Sequence, residues 1–200
     1  MTLASADLPE STQAFREVKP LVIIVSGPPG VGKTTLGRRI AQEFGLPFVN
    51  KDGIKELLFD RLGWQDRDWA KKLNSATYDV LYYFVASLLA AACSLVVESN
   101  FKREEDTGKF LALKKRFDFY PLEIQCQAQG EVLLERFRAR LGQRHPGHAD
   151  HLIVDHLGPT LLKGQHEPLD LGGQIIVVDM TDFKAIDYAS LFKAIESART

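Results

Sequence analysis

The feature that most constrains this chain is a glycine-rich stretch of eight residues between an aliphatic run and a segment with helical periodicity. The stretch reads Gly27-Pro28-Pro29-Gly30-Val31-Gly32-Lys33-Thr34 and matches the pattern G-x-x-x-x-G-K-[ST]. The aliphatic residues 21–25 predict a buried strand, and residues 33–44 predict a helix. Glycines let consecutive backbone N–H groups turn inward around phosphate oxygens, and the positive end of the helix dipole adds to the attraction. The stretch therefore predicts a strand–loop–helix unit that binds phosphate groups.

The lysine and the threonines of this stretch predict which phosphate compound it binds. Lys33 is expected to reach the β- and γ-phosphates of ATP. The alternative, a glycine-rich turn that only caps a helix, would not explain why a lysine and a threonine follow the last glycine directly. Thr34 is expected to offer its hydroxyl to Mg²⁺, with Thr35 as the less favoured neighbour. Glu98, which ends an aliphatic run, is the candidate carboxylate for the Mg²⁺ shell through water, and a carboxylate that faces solvent is the alternative. Residues 27–35 are together expected to hold the nucleotide.

Aliphatic runs alternate with helical segments along the rest of the chain. Further strands are predicted over residues 47–50, 95–98, 120–128 and 174–178. Further helices are predicted over residues 53–62, 68–92, 104–117, 131–141 and 149–162, followed by a terminal helix. Repeated strand–helix units form a mostly parallel sheet whose ligands bind at the carboxyl ends of the strands. We therefore expect an α/β P-loop NTPase with a five-stranded, mostly parallel sheet, helices on both faces and a small lid.

The expected organisation is a single domain. Residues 1–19 lack an apolar core of signal-peptide length, so they do not predict a signal peptide. They are expected to form a flexible arm. Residues 20–200 are expected to form one domain, because this length suits a single α/β unit. The lid is expected at about residues 142–150, where Pro146 and Gly147 interrupt the helical pattern.

Composition argues against several classes of partner and location. The formal net charge of -1, from 25 Lys+Arg and 26 Asp+Glu, gives no broad positive field, so nucleic acid is the less expected partner. The longest apolar stretch, residues 80–97, is interrupted by tyrosines and serines and does not predict a membrane span. Cys93 and Cys126 lie in apolar runs with no C-x-x-C pair, which predicts buried free thiols and a cytoplasmic location.

Two other kinds of nucleotide-binding protein are disfavoured by the residues that follow the loop. Asn50-Lys51-Asp52 resembles the guanine-reading pattern N-K-x-D, but it is one residue short and follows the second strand, which is too early for a GTPase. The run Leu95-Val96-Val97-Glu98 lacks the adjacent Asp-Glu of ring-forming ATPases, which disfavours a ring motor. A phosphate-binding loop alone does not choose among the remaining activities.

Four segments together resemble small P-loop kinases. They are Gly27 to Thr34, Asp52 with Lys55, Val97-Glu98-Ser99-Asn100-Phe101, and Arg136 to Arg140 leading to Arg144-His145-Pro146-Gly147-His148. The group that they resemble most contains the kinase domain of phage polynucleotide kinase, with zeta toxins, chloramphenicol phosphotransferase and gluconate kinases as wider relatives. The resemblance implies a kinase but no particular acceptor, because these relatives phosphorylate very different hydroxyl groups.

The resemblance implies roles for one aspartate and three arginines. Asp52 matches the aspartate that accepts the proton of the attacking hydroxyl in these kinases. From the residues alone, Asp52 is equally well interpreted as the N-cap of the following helix, and one side chain can serve in both roles. Arg136 matches the arginine that covers the adenine, and Arg140 and Arg144 match lid arginines that neutralise charge on the transferred phosphoryl group. The three arginines recur every fourth residue, so they form one stripe if the predicted helix persists. A solvated helix face is the alternative for this stripe.

A histidine-rich segment follows the arginines. His145 and His148, with His151 after them, suggest a metal cluster, but Pro146 and Gly147 break the helix that would direct two imidazoles at one ion. The preferred interpretation is a lid hinge whose histidines contact ligand.

The sequence thus predicts an ATP-dependent kinase, with Mg²⁺, that moves the γ-phosphate to a hydroxyl group of a small-molecule acceptor. Two alternatives stay open: a nucleotide-binding regulatory ATPase without a phosphorylated acceptor, and a 5′-hydroxyl polynucleotide kinase. A regulatory protein needs neither a base nor a transition-state arginine, whereas Asp52, Arg140 and Arg144 form a complete catalytic set with Lys33.

Overall fold

The sheet has five strands in a computed structural model, which describes residues 19–148 and 154–199. The strands are β1 (Leu21–Ser26), β2 (Phe48–Asn50), β3 (Leu95–Glu98), β4 (Tyr120–Gln127) and β5 (Gln174–Asp179). Their order is β2-β3-β1-β4-β5, and every neighbouring pair is parallel. The predicted α/β fold is therefore confirmed. The arm predicted at residues 1–19 lies outside the described residues, apart from Lys19.

Helices cover both faces of this sheet. In the described ranges they are α1 (Lys33–Phe44), α2 (Lys51–Leu62), α3 (Arg67–Ala90), α4 (Arg103–Phe117), α5 (Gly130–Ala139), α6 (Val154–Leu162) and α7 (Tyr188–Ser197). The start predicted for α6, at residues 149–153, lies outside these ranges. No helix within them is long and apolar enough to cross a lipid bilayer.

The end of α5 corrects the prediction of a continuous arginine stripe. The helix stops at Ala139, so Arg136 lies on the helix while Arg140 and Arg144 follow it. Beyond the helix, backbone N–H groups bond three residues back instead of four, and Gly142 adopts a left-handed φ of +80°. Such a turn ends an α-helix. Arg140 and Arg144 therefore reach the site from a turn and not from one helix face.

Two hydrophobic cores, one on each face of the sheet, fix the position of β1. Leu21, Ile23 and Val25 face the core that α1, α5 and α7 cover. Val22 and Ile24 face the core that α3 and α4 cover. These side chains are at most 2% exposed, because a central strand of a parallel sheet is buried on both faces. The loop that follows β1 therefore starts from a rigid support.

The two cysteines differ in exposure. Cys126 on β4 is buried, as predicted. Cys93 is partly exposed, so its predicted burial is wrong. It lies in the tight turn between α3 and β3, where Ala92 has a left-handed φ of +54°, and a turn of this kind runs along the surface. Both thiols are free.

The strand register places three strand ends side by side. Val25 of β1 pairs with Glu98 of β3, and Asn50 of β2 pairs with the same glutamate. The glycine-rich loop follows β1 directly, and Asp52 comes two residues after the end of β2. The loop, Glu98 and Asp52 therefore meet at the carboxyl edge of the sheet, where ligands bind in open α/β folds.

A buried carboxyl group lies on β4, below the segment that joins α6 to β5. Glu123 is 3% exposed, and its Oε2 accepts a hydrogen bond of 2.9 Å from the backbone N–H of Leu169. Its Oε1 accepts a bond of 2.7 Å from the amide of Gln125. Burial raises the pKa of Glu123 to about 7, because these two bonds only partly offset the loss of water around the charge.

We expect Glu123→Gln to change how the stability of the protein depends on pH. Between about pH 5 and pH 7 the folded state keeps a proton on Glu123 that the unfolded state releases, so this group's contribution to the free energy of unfolding falls as the pH rises. The amide does not ionise, so the variant should lose this fall, which is on the order of 2–3 kcal/mol. Urea unfolding over this pH range measures the difference between the two proteins.

The exposed carboxyl group of Glu131 on α5 provides the matched control for that experiment. Glu131→Gln should leave the pH dependence of the wild-type protein unchanged. A stability difference between wild type and Glu123→Gln that stays constant with pH would contradict the assignment of Glu123 as a group that titrates near neutrality.

Candidate active site

The loop after β1 has a backbone conformation that favours glycine at three positions, Gly27, Gly30 and Gly32, and a side chain would also clash at two of them. Gly27 has a φ of +140°, and a Cβ there would overlap the carbonyl oxygen of Cys126 on β4. Gly32 has a φ of +104°, and a Cβ there would lie 2.8 Å from the ring of Phe183. Gly27 to Thr34 therefore has the local structure that the sequence predicted.

Lys33 lies across this loop in the first turn of α1. Its Nζ donates a hydrogen bond of 2.8 Å to the carbonyl oxygen of Pro28, and the residue is 5% exposed. Burial lowers the pKa of Lys33, and the nearby carboxylate of Glu98 opposes that shift. A buried ammonium group beside a ring of backbone N–H groups is a strong binding point for phosphate.

Thr34 and Glu98 are far apart in sequence but adjacent in space. The hydroxyl of Thr34 donates a hydrogen bond of 2.9 Å to Oε2 of Glu98. Burial raises the pKa of Glu98, and the charge of Lys33 counteracts the shift. A hydroxyl and a carboxylate are hard oxygen ligands of the kind that Mg²⁺ prefers, so the pair fits a Mg²⁺ site beside the loop. Thr35 lines the same cavity.

Asp52 lies inside the first turn of α2, and the N-cap of that helix is Asn50. The interpretation of Asp52 as the N-cap is therefore wrong, because the helix begins at Lys51, two residues earlier than predicted. The carboxylate of Asp52 instead accepts hydrogen bonds from side chains. Its Oδ2 lies 2.6 Å from Nη2 of Arg144, and its Oδ1 lies 3.2 Å from Nζ of Lys51. Burial alone would raise the pKa of Asp52, but these two cations outweigh it and hold the pKa well below its ordinary value. The carboxylate is therefore ionised at neutral pH.

Three carboxylates of α2 bind the segment that follows α5. Asp52, Glu56 and Asp60 recur every fourth residue and so lie on one face of the helix. Asp52 pairs with Arg144, Glu56 Oε1 lies 2.8 Å from Nε2 of His148, and Asp60 Oδ1 lies 3.2 Å from Nε2 of His145. We call residues 142–148 the lid segment. These three contacts attach the lid segment to α2.

Ring packing supports the same attachment. The ring of Phe59 on α2 stacks on His145 with centroids 5.2 Å apart and meets the edge of His148 at 5.7 Å. A Cβ on Gly147 would lie 2.7 Å from the Phe59 ring, so glycine permits this close approach. The segment predicted to be a lid, at about residues 142–150, thus contacts α2 as far as residue 148, and its role as a lid stays a prediction. Residues 149–150 and His151 lie outside the described residues.

The histidines of the lid segment bind protein groups. Burial and the adjacent cation of Arg144 lower the pKa of His148, so the ring is neutral at pH 7. With its proton on Nε2, the ring donates to Glu56 and accepts at Nδ1 from Arg144, 3.1 Å away. Among the described residues, no group of three or more potential metal ligands comes together. His148 also lines the cavity, whereas His145 does not, and contact of either histidine with a ligand stays a prediction.

Arg136 lies beside the phosphate loop. Its Nη1 and Nη2 donate hydrogen bonds of 2.7 and 2.8 Å to the carbonyl oxygens of Met180 and Thr181, and its guanidinium carbon lies 3.9 Å from the centroid of the Phe183 ring. Because Phe183 approaches Gly32, this stacked pair lies next to the first turn of α1. The pair offers flat surfaces of the kind on which an aromatic ring stacks, beside the phosphate-binding loop. No motif pointed to Phe183, since it lies in the loop after β5 that has no pattern of its own.

One cavity of about 450 Å³ joins these groups. The predicted site residues in its lining are Pro29, Gly30, Gly32, Lys33, Thr34, Thr35, Asp52, Glu98, Arg140 and Arg144. Gly27, Pro28, Val31 and Arg136 shape or flank the loop without lining the cavity. Sequence reasoning missed Asn74 on α3 and Lys51 as cavity residues, because Asn74 belongs to no motif and Lys51 only to the rejected guanine-reading pattern.

Among curated proteins, the chain is similar to an ATP-dependent protease ATPase subunit. The subunit HslU of Thermoanaerobacter sp. (strain X514) is 33% identical over 113 residues, which are 56% of this chain and 21% of that protein. HslU of Staphylococcus aureus (strain Mu3 / ATCC 700698) is 35% identical over 107 residues, or 52% of this chain and 21% of that protein. The chain therefore spans about a fifth of the length of these relatives.

The similarity to solved structures extends over nearly the whole chain. A protein of Chloroflexus aurantiacus J-10-fl, provisionally assigned as a kinase, is 37% identical, with a TM-score of 0.82 over 91% of this chain and 100% of that chain. A gluconokinase from Sinorhizobium meliloti 1021 is 18% identical, with a TM-score of 0.50 over 92% of this chain and 99% of that chain. At that identity the second likeness concerns the fold alone. The fold is thus that of a kinase-like P-loop NTPase.

A family model described as an AAA domain matches residues 22–156. The matched range contains the phosphate loop, Asp52, Glu98 and the lid arginines, and it covers well over half of the chain. The chain therefore belongs to this AAA_33 family of P-loop proteins.

Proposed function

We propose that this protein is a phosphotransferase that uses ATP and Mg²⁺ to phosphorylate a hydroxyl group of a small molecule. The proposal rests on one observation: a single cavity is lined both by the phosphate-binding loop with Lys33 and by the ionised carboxylate of Asp52, which can accept a proton. A protein that only binds ATP needs the first and not the second. The likeness to a provisionally assigned kinase over its full length supports the same class of reaction.

Separate residues serve the two substrates in this proposal. Backbone N–H groups of the loop and Lys33 bind the phosphates of ATP, and the stacked Arg136–Phe183 pair lies where the adenine would follow. Mg²⁺ supplies positive charge to the phosphate oxygens when bound, and Thr34 and Glu98 would hold it. Lys33, Arg140 and Arg144 stabilise the charge on the transferred phosphoryl group.

Asp52 orients the acceptor and takes its proton. The acceptor oxygen forms a bond to the γ-phosphorus while the bond from that phosphorus to the departing oxygen of ADP breaks, and the hydroxyl proton passes to a carboxylate oxygen of Asp52. Because Lys51 and Arg144 keep the pKa of Asp52 low, the proton moves late, when the acceptor oxygen has become acidic through bonding to phosphorus. Before that point the ionised carboxylate holds the hydroxyl in line with the γ-phosphate.

A second candidate function is ATP hydrolysis without a phosphorylated acceptor. The similarity to HslU, a named ATPase subunit, favours it, although that likeness covers about a fifth of HslU. The same Asp52 would then orient a water molecule. The resemblance to polynucleotide kinases keeps a 5′-hydroxyl oligonucleotide among the acceptors to be tested, and the net charge of -1 argues against a polynucleotide.

We expect Asp52→Asn to abolish most of the transfer while sparing ATP binding. The amide keeps the size of the side chain but accepts a proton poorly, so transfer should fall by about a hundredfold or more. Transfer from γ-labelled ATP is measured with pooled sugars, nucleosides, antibiotics and 5′-hydroxyl oligonucleotides, and ATP affinity is measured by calorimetry on the same preparation. Transfer at the wild-type rate in Asp52→Asn would show that the base lies elsewhere.

Two further variants make this experiment specific. Asp79→Asn replaces an exposed carboxylate on α3 and should behave as wild type. Lys33→Ala removes the phosphate contact and should weaken ATP binding or abolish transfer while the fold stays intact. A wild-type protein that releases phosphate from ATP but labels no acceptor would favour the ATPase instead of the kinase.

We expect Arg144→Met to raise the pKa of Asp52 toward its ordinary value, because the variant removes one of the two cations that lower it. The turnover rate should fall more than the ATP affinity, since the arginine acts on charge that develops during transfer. A ¹³C NMR titration of the Asp52 carboxyl group measures the pKa. Arg138→Met, at an exposed position on α5, is the matched control. An unchanged pKa in Arg144→Met would contradict the ion pair as a determinant of Asp52.

A further inference from the structure

We infer that the acceptor is a polyhydroxy compound, and that the amides of Asn74 and Asn100 bind hydroxyl groups next to the one that is phosphorylated. The inference rests on the proposed function, because it names the class of acceptor for the same cavity. Asn74 lies on α3 and Asn100 follows the end of β3, and both line the cavity together with Asp52. The two amides belong to different elements, so each can bind a different group of one acceptor.

A chain of side-chain contacts runs from the proposed base to α3 and to the end of β3. Nζ of Lys51 lies 3.2 Å from Oδ1 of Asp52 and 5.8 Å from the centroid of the Tyr78 ring on α3. The hydroxyl of Tyr78 in turn lies 3.0 Å from Oγ of Ser99, the residue that follows β3. These contacts join the first turn of α2, the middle of α3 and the end of β3 on one side of the cavity.

Both asparagines are adjacent to these contacts. Asn74 precedes Tyr78 by one helical turn, so the two residues lie on one face of α3. Asn100 directly follows Ser99, which is buried, so the chain reaches Asn100 from a fixed point. The two amides are therefore carried by firmly held parts of the structure, on the side of the cavity where Asp52 lies.

The two amides have no protein partner in the part of the chain that the structure describes. Asn74 and Asn100 are half-buried, and no hydrogen bond joins either side chain to another described residue. Lys33, Thr34 and Asp52 in the same cavity already have such partners. A half-buried polar group has lost part of its water, so a ligand that bonds to it gains free energy of binding. The amides are therefore left to water or to a ligand.

The chemistry of an amide favours hydroxyl groups as its partners. An amide has one acceptor oxygen and two donor hydrogens, and a hydroxyl group also both donates and accepts. A carboxylate or a phosphate only accepts, so it would pair with the nitrogen of the amide but not with the oxygen. The planar edge of a nucleobase suits a single amide that binds it through two bonds, whereas Asn74 and Asn100 come from different elements. A polyhydroxy compound offers a separate hydroxyl group to each amide and a third one to Asp52.

The test compares acceptors that share a carbon skeleton and differ in their hydroxyl groups. Transfer from γ-labelled ATP is measured for myo-inositol against cyclohexanol, for xylitol against 1-pentanol, and for D-glucose against each of its monodeoxy analogues. We expect the compound with more hydroxyl groups to be preferred by at least about tenfold in kcat/KM in the pairs that react. Equal values of kcat/KM within every reacting pair would overturn the inference and leave the proposed function standing.

Two variants assign the preference to the amides. Asn74→Ala and Asn100→Ala should each lower kcat/KM for a preferred polyhydroxy compound by about tenfold, because a hydrogen bond to the acceptor is lost. The analogue that lacks the bound hydroxyl should react as it does with the wild-type protein, and ATP affinity should not change. Gln42→Ala removes an exposed amide on α1 and is the matched control. Variants that slow transfer equally for a compound and all its analogues would overturn the assignment.

A binding measurement separates this inference from the kinase itself. With a non-hydrolysable ATP analogue bound, calorimetry compares the affinities of the same compounds in wild type, Asn74→Ala and Asn100→Ala. Selective binding of a polyhydroxy compound that is lost in the variants supports the inference even if no compound is phosphorylated, in which case the proposed function alone fails. The inference is overturned if no polyhydroxy compound binds more tightly than its partner with fewer hydroxyl groups.

Discussion

The whole site depends on the burial of β1 between two parallel neighbours. Its side chains are enclosed on both faces of the sheet, so the strand ends at a fixed point beside β3 and β4. At that point Gly27 approaches the carbonyl group of Cys126 so closely that no side chain fits, and the backbone turns into the phosphate loop. The same register brings Glu98 next to Thr34. A change that loosened β1 would displace the loop and the carboxylate together.

The other half of the site is held by hydrogen bonds to the carboxylates of one helix. The carboxylates Asp52, Glu56 and Asp60 form one face of α2, and each meets a basic group of the lid segment. This arrangement explains why the lid segment packs on α2 without a continuous helix from α5. It also gives Asp52 two tasks, because the carboxylate proposed as base is a partner of Arg144 in the structure. The neighbouring cations Lys51 and Arg144 therefore keep the carboxylate ionised.

Sequence predicted most completely the parts whose geometry is fixed by neighbouring residues. The motif predicted that α1 begins at Lys33, and the helix does begin there. The residue before it, Gly32, has a backbone conformation and a close neighbour that leave no room for a side chain. Prediction failed where residues distant in sequence decide the structure. Asp60 and His145 are 85 positions apart, and no local pattern reports their contact. The arginine stripe failed for a related reason, since spacing alone did not reveal that the chain leaves the helix after Ala139.

The pairing of Asp52 with Arg144 links binding to chemistry in the proposed reaction. While Arg144 occupies Oδ2, that oxygen is engaged and the acceptor hydroxyl has to compete for it. In that reaction ATP would offer Arg144 a more highly charged partner than Asp52. Such a change of partner would raise the pKa of Asp52 from its low resting value, because it would draw a cation away from the carboxylate. The carboxylate would then be a stronger base with ATP bound than without it.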